Sequence, residues 1–133
     1  MKCLIVDDYL ENRQLLFGFL QAYGKCDMAV HGGEAVDLFA DALESGEPYD
    51  LVLLDIMMPE MNGQVALQQM RSLEKEYGMI GANEAVIIMV TALDSPWAAT
   101  DAFFKGYCTD YLTKPITKQI LIEKLLEYRI IIF

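Results

Sequence analysis

The sequence predicts an α/β domain, a parallel sheet wound on both faces by helices. Three observations carry that prediction. Short apolar runs recur along the chain: Cys3-Leu4-Ile5-Val6, Leu51-Val52-Leu53-Leu54, Val86-Ile87-Ile88-Met89-Val90 and Tyr111-Leu112-Thr113. Runs of this length between helical segments are what strands covered on both faces look like. Segments with apolar residues at helical spacing separate them, and right-handed crossovers between parallel strands then place helices on both sides. Each run also closes on a polar residue, in turn Asp7, Asp55, Thr91 and Lys114. Ligands of open α/β sheets sit beyond the carboxyl ends of the strands, so these four are expected to converge.

Taken in order, the first run leads into Asp7-Asp8. Residues 11–23 carry Leu15, Leu16, Phe19 and Leu20 at helical spacing and stop at Gly24. Residues 26–30 read as a short second strand. Residues 33–44 put Ala35, Val36, Phe39, Ala42 and Leu43 on one helical face, ended by Ser45-Gly46-Glu47-Pro48. The third strand is Leu51–Asp55. A loop follows at 57–63, because Pro59 and Gly63 both resist regular structure. A helix then runs from about 63 to 76, and residues 78–83 link it to a fourth strand at 85–90. A helix at 96–105 stops at Gly106, a short strand spans Asp110–Thr113, and the last helix covers 117–128. The pattern is βα repeated five times, with no internal repeat, low-complexity segment or second domain. The domain is expected to cover residues 1–128, leaving residues 129–133 as an apolar C-terminal tail.

At 133 residues the chain is long enough to bury a core without metal or disulfide staples. Its 54% apolar and 23% charged content is that of a globular protein. Twenty acidic residues against ten basic give a net charge of -10, which argues against direct nucleic-acid binding in the absence of a basic patch. Cys3, Cys26 and Cys108 are odd in number, far apart and without a Cys-x-x-Cys, which suits reduced thiols in a cytoplasmic protein. The opening residues are too short an apolar run for a signal peptide, and no stretch approaches the ~20 apolar residues of a membrane span.

Three carboxylates, a hydroxyl and an ammonium in one crevice suit a divalent cation and a phosphoryl group. Asp7 and Asp8 alone read equally well as solvated loop residues or a helix N-cap. Asp55, at the end of a strand expected beside the first, changes the balance, since three clustered carboxylates cost free energy unless a cation fills the gap. Hard oxygen ligands favour magnesium, with manganese able to substitute, over zinc. Asp55 is the expected nucleophile, because a carboxylate can attack phosphorus to give an aspartyl phosphate. Such transfer needs positioning and charge neutralisation, which the cation, Lys114 and the Thr91 hydroxyl can share. In isolation, Thr91 reads as a strand-end residue and Lys114 as a surface lysine. Their joint placement at strand ends is what favours the functional reading.

These segments together resemble the receiver domain of bacterial two-component response regulators, the CheY-like family. The resemblance spans about residues 2–128 and rests on Leu4-Ile5-Val6-Asp7-Asp8, Leu53 through Gly63, Val90-Thr91-Ala92 and Asp110 through Pro115. It implies a flavodoxin-like sheet of order 2-1-3-4-5 and phosphotransfer to Asp55 from a histidine kinase or histidine phosphotransfer domain. It further implies that Asp8 binds Mg²⁺ directly, Asp7 largely through water, and Met57 through its backbone carbonyl. Thr91 and Lys114 would contact phosphoryl oxygens, Tyr111 would change rotamer on activation, and the Lys114-Pro115 bond would be cis. Such a domain promotes its own phosphorylation and dephosphorylation without being a conventional turnover enzyme, and signals to a downstream protein target that the sequence does not name.

Other residues carry less. His31 lies among glycines that suggest a turn, and Met57, Met58 and Met61 read as loop packing. Trp97, at the start of the helix at 96–105, reads as partly buried, with a partner-anchoring role as the alternative. An FMN-binding protein would share the sheet, but the acidic first loop repels a flavin phosphate. A dehalogenase-like phosphatase would want a carboxylate two residues after the nucleophile, where Met57 stands. A receiver that only docks partners, unphosphorylated, would not need the complete acidic set. The four apolar residues that end the chain cannot all face one core, which suggests either weak homodimerisation or a cut through a longer helix.

Overall fold

Alternation along β1 (Lys2–Val6) assigns both faces of the sheet: Cys3 and Ile5 enter one core, Leu4 and Val6 the other. The computed structural model describes residues 1–56, 63–91 and 107–132. Within them β1 is joined by β2 (Lys25–Ala29), β3 (Leu51–Asp55), β4 (Val86–Thr91) and β5 (Asp110–Thr113). All pairings are parallel and the order is β2-β1-β3-β4-β5. This is the doubly wound arrangement and strand order that the sequence led us to expect. The expected helix at 96–105, with Trp97, lies outside the described residues, as do Met57, Met58, Met61 and Phe133.

Among the described residues, four α-helices flank the sheet. α1 (Leu10–Leu20) and the C-terminal helix (Lys118–Glu127) cover one face, burying Leu16, Leu20, Leu121 and Leu125 against Cys3, Ile5, Leu53 and Val90. α2 (Gly32–Glu44) and α3 (Gly63–Glu76) cover the other, burying Ala35, Phe39, Leu67 and Met70 against Leu4, Val52 and Ile87. No described helix is long and apolar enough to cross a membrane. α1 is shorter than its apolar spacing suggests: after Leu20 the chain tightens into a turn, with the Tyr23 N–H donating to the Leu20 carbonyl at 2.9 Å. Leu15, expected on the buried face, is half exposed. His31 does more than turn the chain. It is the N-cap of α2, its Nδ1 accepting from the Glu34 N–H at 3.1 Å.

Three helices end in the same way. After α2 the Glu47 and Gly46 N–H groups reach back to the Ala42 and Leu43 carbonyls, and after α3 those of Met79 and Gly78 reach Glu74 and Lys75. Ile130 and Arg129 repeat the pattern on Leu125 and Leu126. This is the Schellman arrangement, whose pivot residue takes a positive φ and is usually glycine. Gly46 and Gly78 meet that demand at φ 79° and 74°, whereas Arg129 adopts 57° with a side chain attached. Arg129 is exposed, so its side chain has little packing to lose. Arg129→Gly is therefore expected to stabilise the domain by about 0.5–1 kcal/mol, read as a higher urea midpoint. A lower midpoint would contradict this account of the turn. Beyond the pivot, Ile130 and Ile131 pack against the core and Ile132 is exposed.

At the end of the sheet where β4 begins, α3 carries a buried ion pair. Arg71 donates to Glu74 Oε1 at 2.7 Å, to the Ala85 carbonyl at 2.9 Å and to the Tyr107 carbonyl at 2.6 Å. The other Glu74 oxygen accepts the Ala85 N–H at 2.6 Å. The pair ties α3 to the start of β4 and to the segment that enters β5. Farther along, Asp110 accepts from Lys124 at 2.6 Å and Tyr128 at 2.7 Å, fastening the C-terminal helix to β5. Burial opposes the Asp110 charge, but these hydrogen bonds outweigh it and hold the carboxyl below its ordinary range.

Candidate functional site

Parallel register brings the strand ends side by side. Val6 pairs with Leu54, Asp55 with Val90, and Thr91 with Thr113, so the residues closing β1, β3, β4 and β5 share one rim. Asp7, Asp8 and Asp55 each offer an oxygen within 4.8 Å of the others. Lys114, one residue past β5, places its Nζ 3.4 Å from Asp7 Oδ2 and 3.5 Å from Asp55 Oδ2. The peptide that follows it, Lys114–Pro115, is cis. Asp7, Asp55 and Thr91 are all buried.

Each acidic residue has a distinct setting. Asp7 is held on several sides: its N–H donates to the Ala29 carbonyl at 3.2 Å, its carbonyl accepts from Arg13 at 2.7 Å, and its Oδ1 accepts the Tyr9 N–H at 2.9 Å. The N-cap of α1 is Tyr9, with no side-chain cap, so neither aspartate fills the capping role. Asp8 differs, because its Oδ1 is buried and has no hydrogen-bond partner. Buried polar atoms are normally paired, and an orphaned oxygen on a carboxylate that clusters with two others marks that carboxylate as a candidate cation ligand. Asp55 ends β3, and the chain beyond it is anchored by the Ile56 N–H on the Val90 carbonyl at 3.1 Å and the Gly63 N–H on the Ile56 carbonyl at 2.9 Å. Gly63 lies so close to the Asp55 backbone that a Cβ would meet the Asp55 carbonyl oxygen and come within 2.8 Å of Ile56 Cα.

Thr91 is joined to the lysine through the backbone, its carbonyl accepting the Lys114 N–H at 2.8 Å. Tyr111 sits opposite Met89 on β5, half-buried, and packs against the core beneath α2 and α3. Met57 lies outside the described residues. A cavity of about 280 Å³ opens beside the site, lined by Asp7, Asn12, Leu15, Lys114 and Pro115 among others. Two contributors were not foreseen from the sequence, Arg13 beneath Asp7 and Asn12 in the cavity wall. Both sit on a helix where polar residues look merely solvated, and no local signal separates them from their neighbours.

The electrostatics follow from these distances. At an effective dielectric of about 20, two unit charges under 5 Å apart repel by about 3–4 kcal/mol, and an ammonium at 3.5 Å attracts by about 5 kcal/mol. Lys114 thus offsets part of the crowding without matching three carboxylates. The residual negative charge, the hard oxygen donors and the orphaned Asp8 oxygen fit an oxygen-seeking divalent cation such as magnesium.

Comparison with known proteins agrees with this arrangement. The chain matches the response regulator receiver domain family over residues 3–126. It is 36% identical over 127 residues to a chemotaxis protein CheY homolog of Campylobacter jejuni, covering 94% of this chain and 89% of that protein. It is 30% identical over 129 residues to part of the sensor histidine kinase GacS of Pseudomonas protegens, covering 96% of this chain and 13% of the kinase. Among solved structures, the CheX-CheY-BeF3-Mg complex of Borrelia burgdorferi superposes with a TM-score of 0.79 at 26% identity, covering 96% of this chain and 87% of that one. The complex of the Saccharomyces cerevisiae histidine phosphotransfer protein Ypd1 with the receiver domain of Ssk1 gives 0.79 at 30% identity, with 96% and 88% covered. A strand-end acidic triad, a lysine reaching it from β5 and a family match over nearly the whole length lead to one conclusion: the chain belongs to the response regulator receiver domains of two-component signalling.

Proposed function

We propose that Asp55 accepts a phosphoryl group from a phosphohistidine on a histidine kinase or histidine phosphotransfer domain, and that the new charge switches a partner-binding face. The observation that carries this reading is the Lys114 ammonium set between Asp7 and Asp55, beside the orphaned Asp8 oxygen. An Asp55 oxygen attacks phosphorus, the phosphorus–nitrogen bond breaks, and the imidazole leaves with the electron pair. In this reading Lys114 neutralises one phosphoryl oxygen and Thr91 donates its hydroxyl to another. Mg²⁺, or Mn²⁺ in its place, would be held by Asp8 and Asp55, by Asp7 through water and, as the family resemblance implies, by the Met57 carbonyl, and would supply charge neutralisation for the remaining oxygens. The domain thereby catalyses a change in itself and is not a turnover enzyme. Partners of this kind fit a cytoplasmic protein. The solved relatives with a fluoroberyllate and Mg, and with a phosphotransfer protein, support the reading.

The test is incubation with acetyl phosphate and Mg²⁺, followed by intact mass and peptide mapping. The expected result is the addition of one phosphoryl group, dependent on the metal and confined to Asp55. Labelling at Asp7 or Asp8, or none with any divalent ion, would overturn the assignment.

Metal binding is expected to stabilise the chain, because it relieves the repulsion that Lys114 leaves. At ten times the dissociation constant the gain is about 1.4 kcal/mol, roughly 3–6 °C in melting temperature for a domain of this size. Asp8→Ala removes the orphaned oxygen and is expected to lose most of that shift. Equal shifts in the two proteins, measured by thermal melts with and without Mg²⁺, would remove Asp8 from the ligand set.

For the switch, the Thr91–Lys114 backbone bond and the pairing of β4 with β5 supply a physical connection to Tyr111. When the Thr91 hydroxyl turns toward the phosphoryl group, the aromatic is expected to take a second position and reshape the β5 face. Ring NMR signals of Tyr111, recorded with and without beryllofluoride, are expected to shift. Tight binding of the mimic with unmoved Tyr111 signals would refute the coupling.

A further inference from the structure

Cys3 on β1 lies directly opposite Cys26 on β2, in register on adjacent parallel strands. Both side chains turn to the face that α1 covers, Cys3 fully buried in that core and Cys26 packed at its rim. Farther along the same face of β2, Met28 is 41% exposed, so this edge of the core opens to solvent. Neighbouring strands run about 4.8 Å apart, inside the span of roughly 4.4–6.8 Å between the α-carbons of bonded cysteines. β2 is the terminal strand of the sheet, hydrogen-bonded on one side within the described residues, so it can draw toward β1 without breaking a second ladder.

We propose that Cys3 and Cys26 are a modification site, a cysteine pair that hydroperoxides oxidise to a disulfide joining β1 to β2. The Cys26 thiolate attacks the peroxide, the oxygen–oxygen bond breaks, and Cys26 becomes a sulfenic acid while water or an alcohol leaves. The Cys3 sulfur then attacks the Cys26 sulfur, the sulfur–oxygen bond breaks, and the hydroxide departs as water with the Cys3 proton. Two thiols lose two electrons and one hydroperoxide gains them.

The thiol environments divide the roles in that order. The adjacent Cys3 thiol favours the Cys26 thiolate and outweighs the opposing effect of burial, the protonated Cys26 thiol otherwise donating to the Gly24 carbonyl at 3.9 Å, while burial holds the Cys3 thiol well above its ordinary range. Cys3 therefore keeps the proton that the leaving hydroxide needs. Cys108, which precedes β5, provides an internal contrast, because burial pushes its thiol up to about 11.

Hydrogen peroxide applied to the full chain, followed by alkylation and mass spectrometry, tests the proposal. The expected product is lighter by about two mass units, joins the Cys3 and Cys26 peptides before reduction, and leaves Cys108 free to be alkylated once unfolded. Cys26→Ser, at the rim, is expected to lose the crosslink entirely. Cys3→Ser, which keeps a donor beside Cys26 but no resolving sulfur, is expected to leave a sulfenic acid on Cys26 that dimedone traps. Over-oxidation of Cys26 in the natural chain with Cys3 still alkylatable, a crosslink through Cys108, or no reaction at doses that oxidise free cysteine would each overturn it.

Discussion

Asp55→Asn is expected to abolish Mg²⁺-dependent phosphorylation by acetyl phosphate, while the folded domain persists. The amide keeps the shape of the carboxylate but lacks the electron-rich oxygen that attacks phosphorus. Stability is expected to rise in the absence of metal. The substitution removes two repulsions of about 3–4 kcal/mol each and one Lys114 attraction of about 5 kcal/mol, a net relief on the order of 2 kcal/mol. Intact mass after labelling reads the first effect, and a urea unfolding curve in EDTA reads the second. Undiminished labelling of the variant would move the acceptor elsewhere in the triad.

The second large effect lies at the other end of the sheet. Glu74→Ala is expected to cost about 3–5 kcal/mol, because it strips the closer and more buried of two carboxylates from Arg71, leaving the more exposed Glu84 at 3.6 Å, and orphans the Ala85 N–H. In melting temperature this is a fall of about 10–20 °C. Glu74→Gln retains the shape and the acceptor for Ala85, and is expected to cost much less. Replacing both partners, as in Arg71→Met with Glu74→Leu, is expected to recover most of the loss, since well-packed apolar side chains avoid the desolvation of two charges. Chemical denaturation of that double variant beside the single Arg71→Met and Glu74→Leu variants completes a double-mutant cycle. A Glu74→Ala variant within 1 kcal/mol of the natural chain would show that the pair is relaxed by solvent.

The same pair marks a limit of what the sequence discloses. Arginine and glutamate three apart on a helix look like a solvated salt bridge, and only the tertiary packing of α3 on the start of β4 buries them. β3 and β5 were legible to the residue, because their apolar runs leave no competing frame. α1 was not. Its apolar spacing continues past Leu20, but the chain must turn to reach β2, and its Leu15 faces outward. The site was legible as a set of strand-end residues, since parallel register brings such ends together. Its wiring was not. The Lys114 contact with Asp7, the support of Asp7 by Arg13 and the orphaned Asp8 oxygen depend on side-chain directions across several strands. His31 as a cap was hidden for a related reason, as a histidine is an uncommon acceptor at that position.

Gly63 has a further consequence, for how such a domain can diversify. Its N–H closes on Ile56, and its Cα rests where any side chain would strike the Asp55 backbone. The chain is thus anchored at Ile56 and again at Gly63. Position 63 is closed to any residue with a Cβ, because a larger side chain there would push on the acceptor's own backbone and displace the reacting oxygen itself.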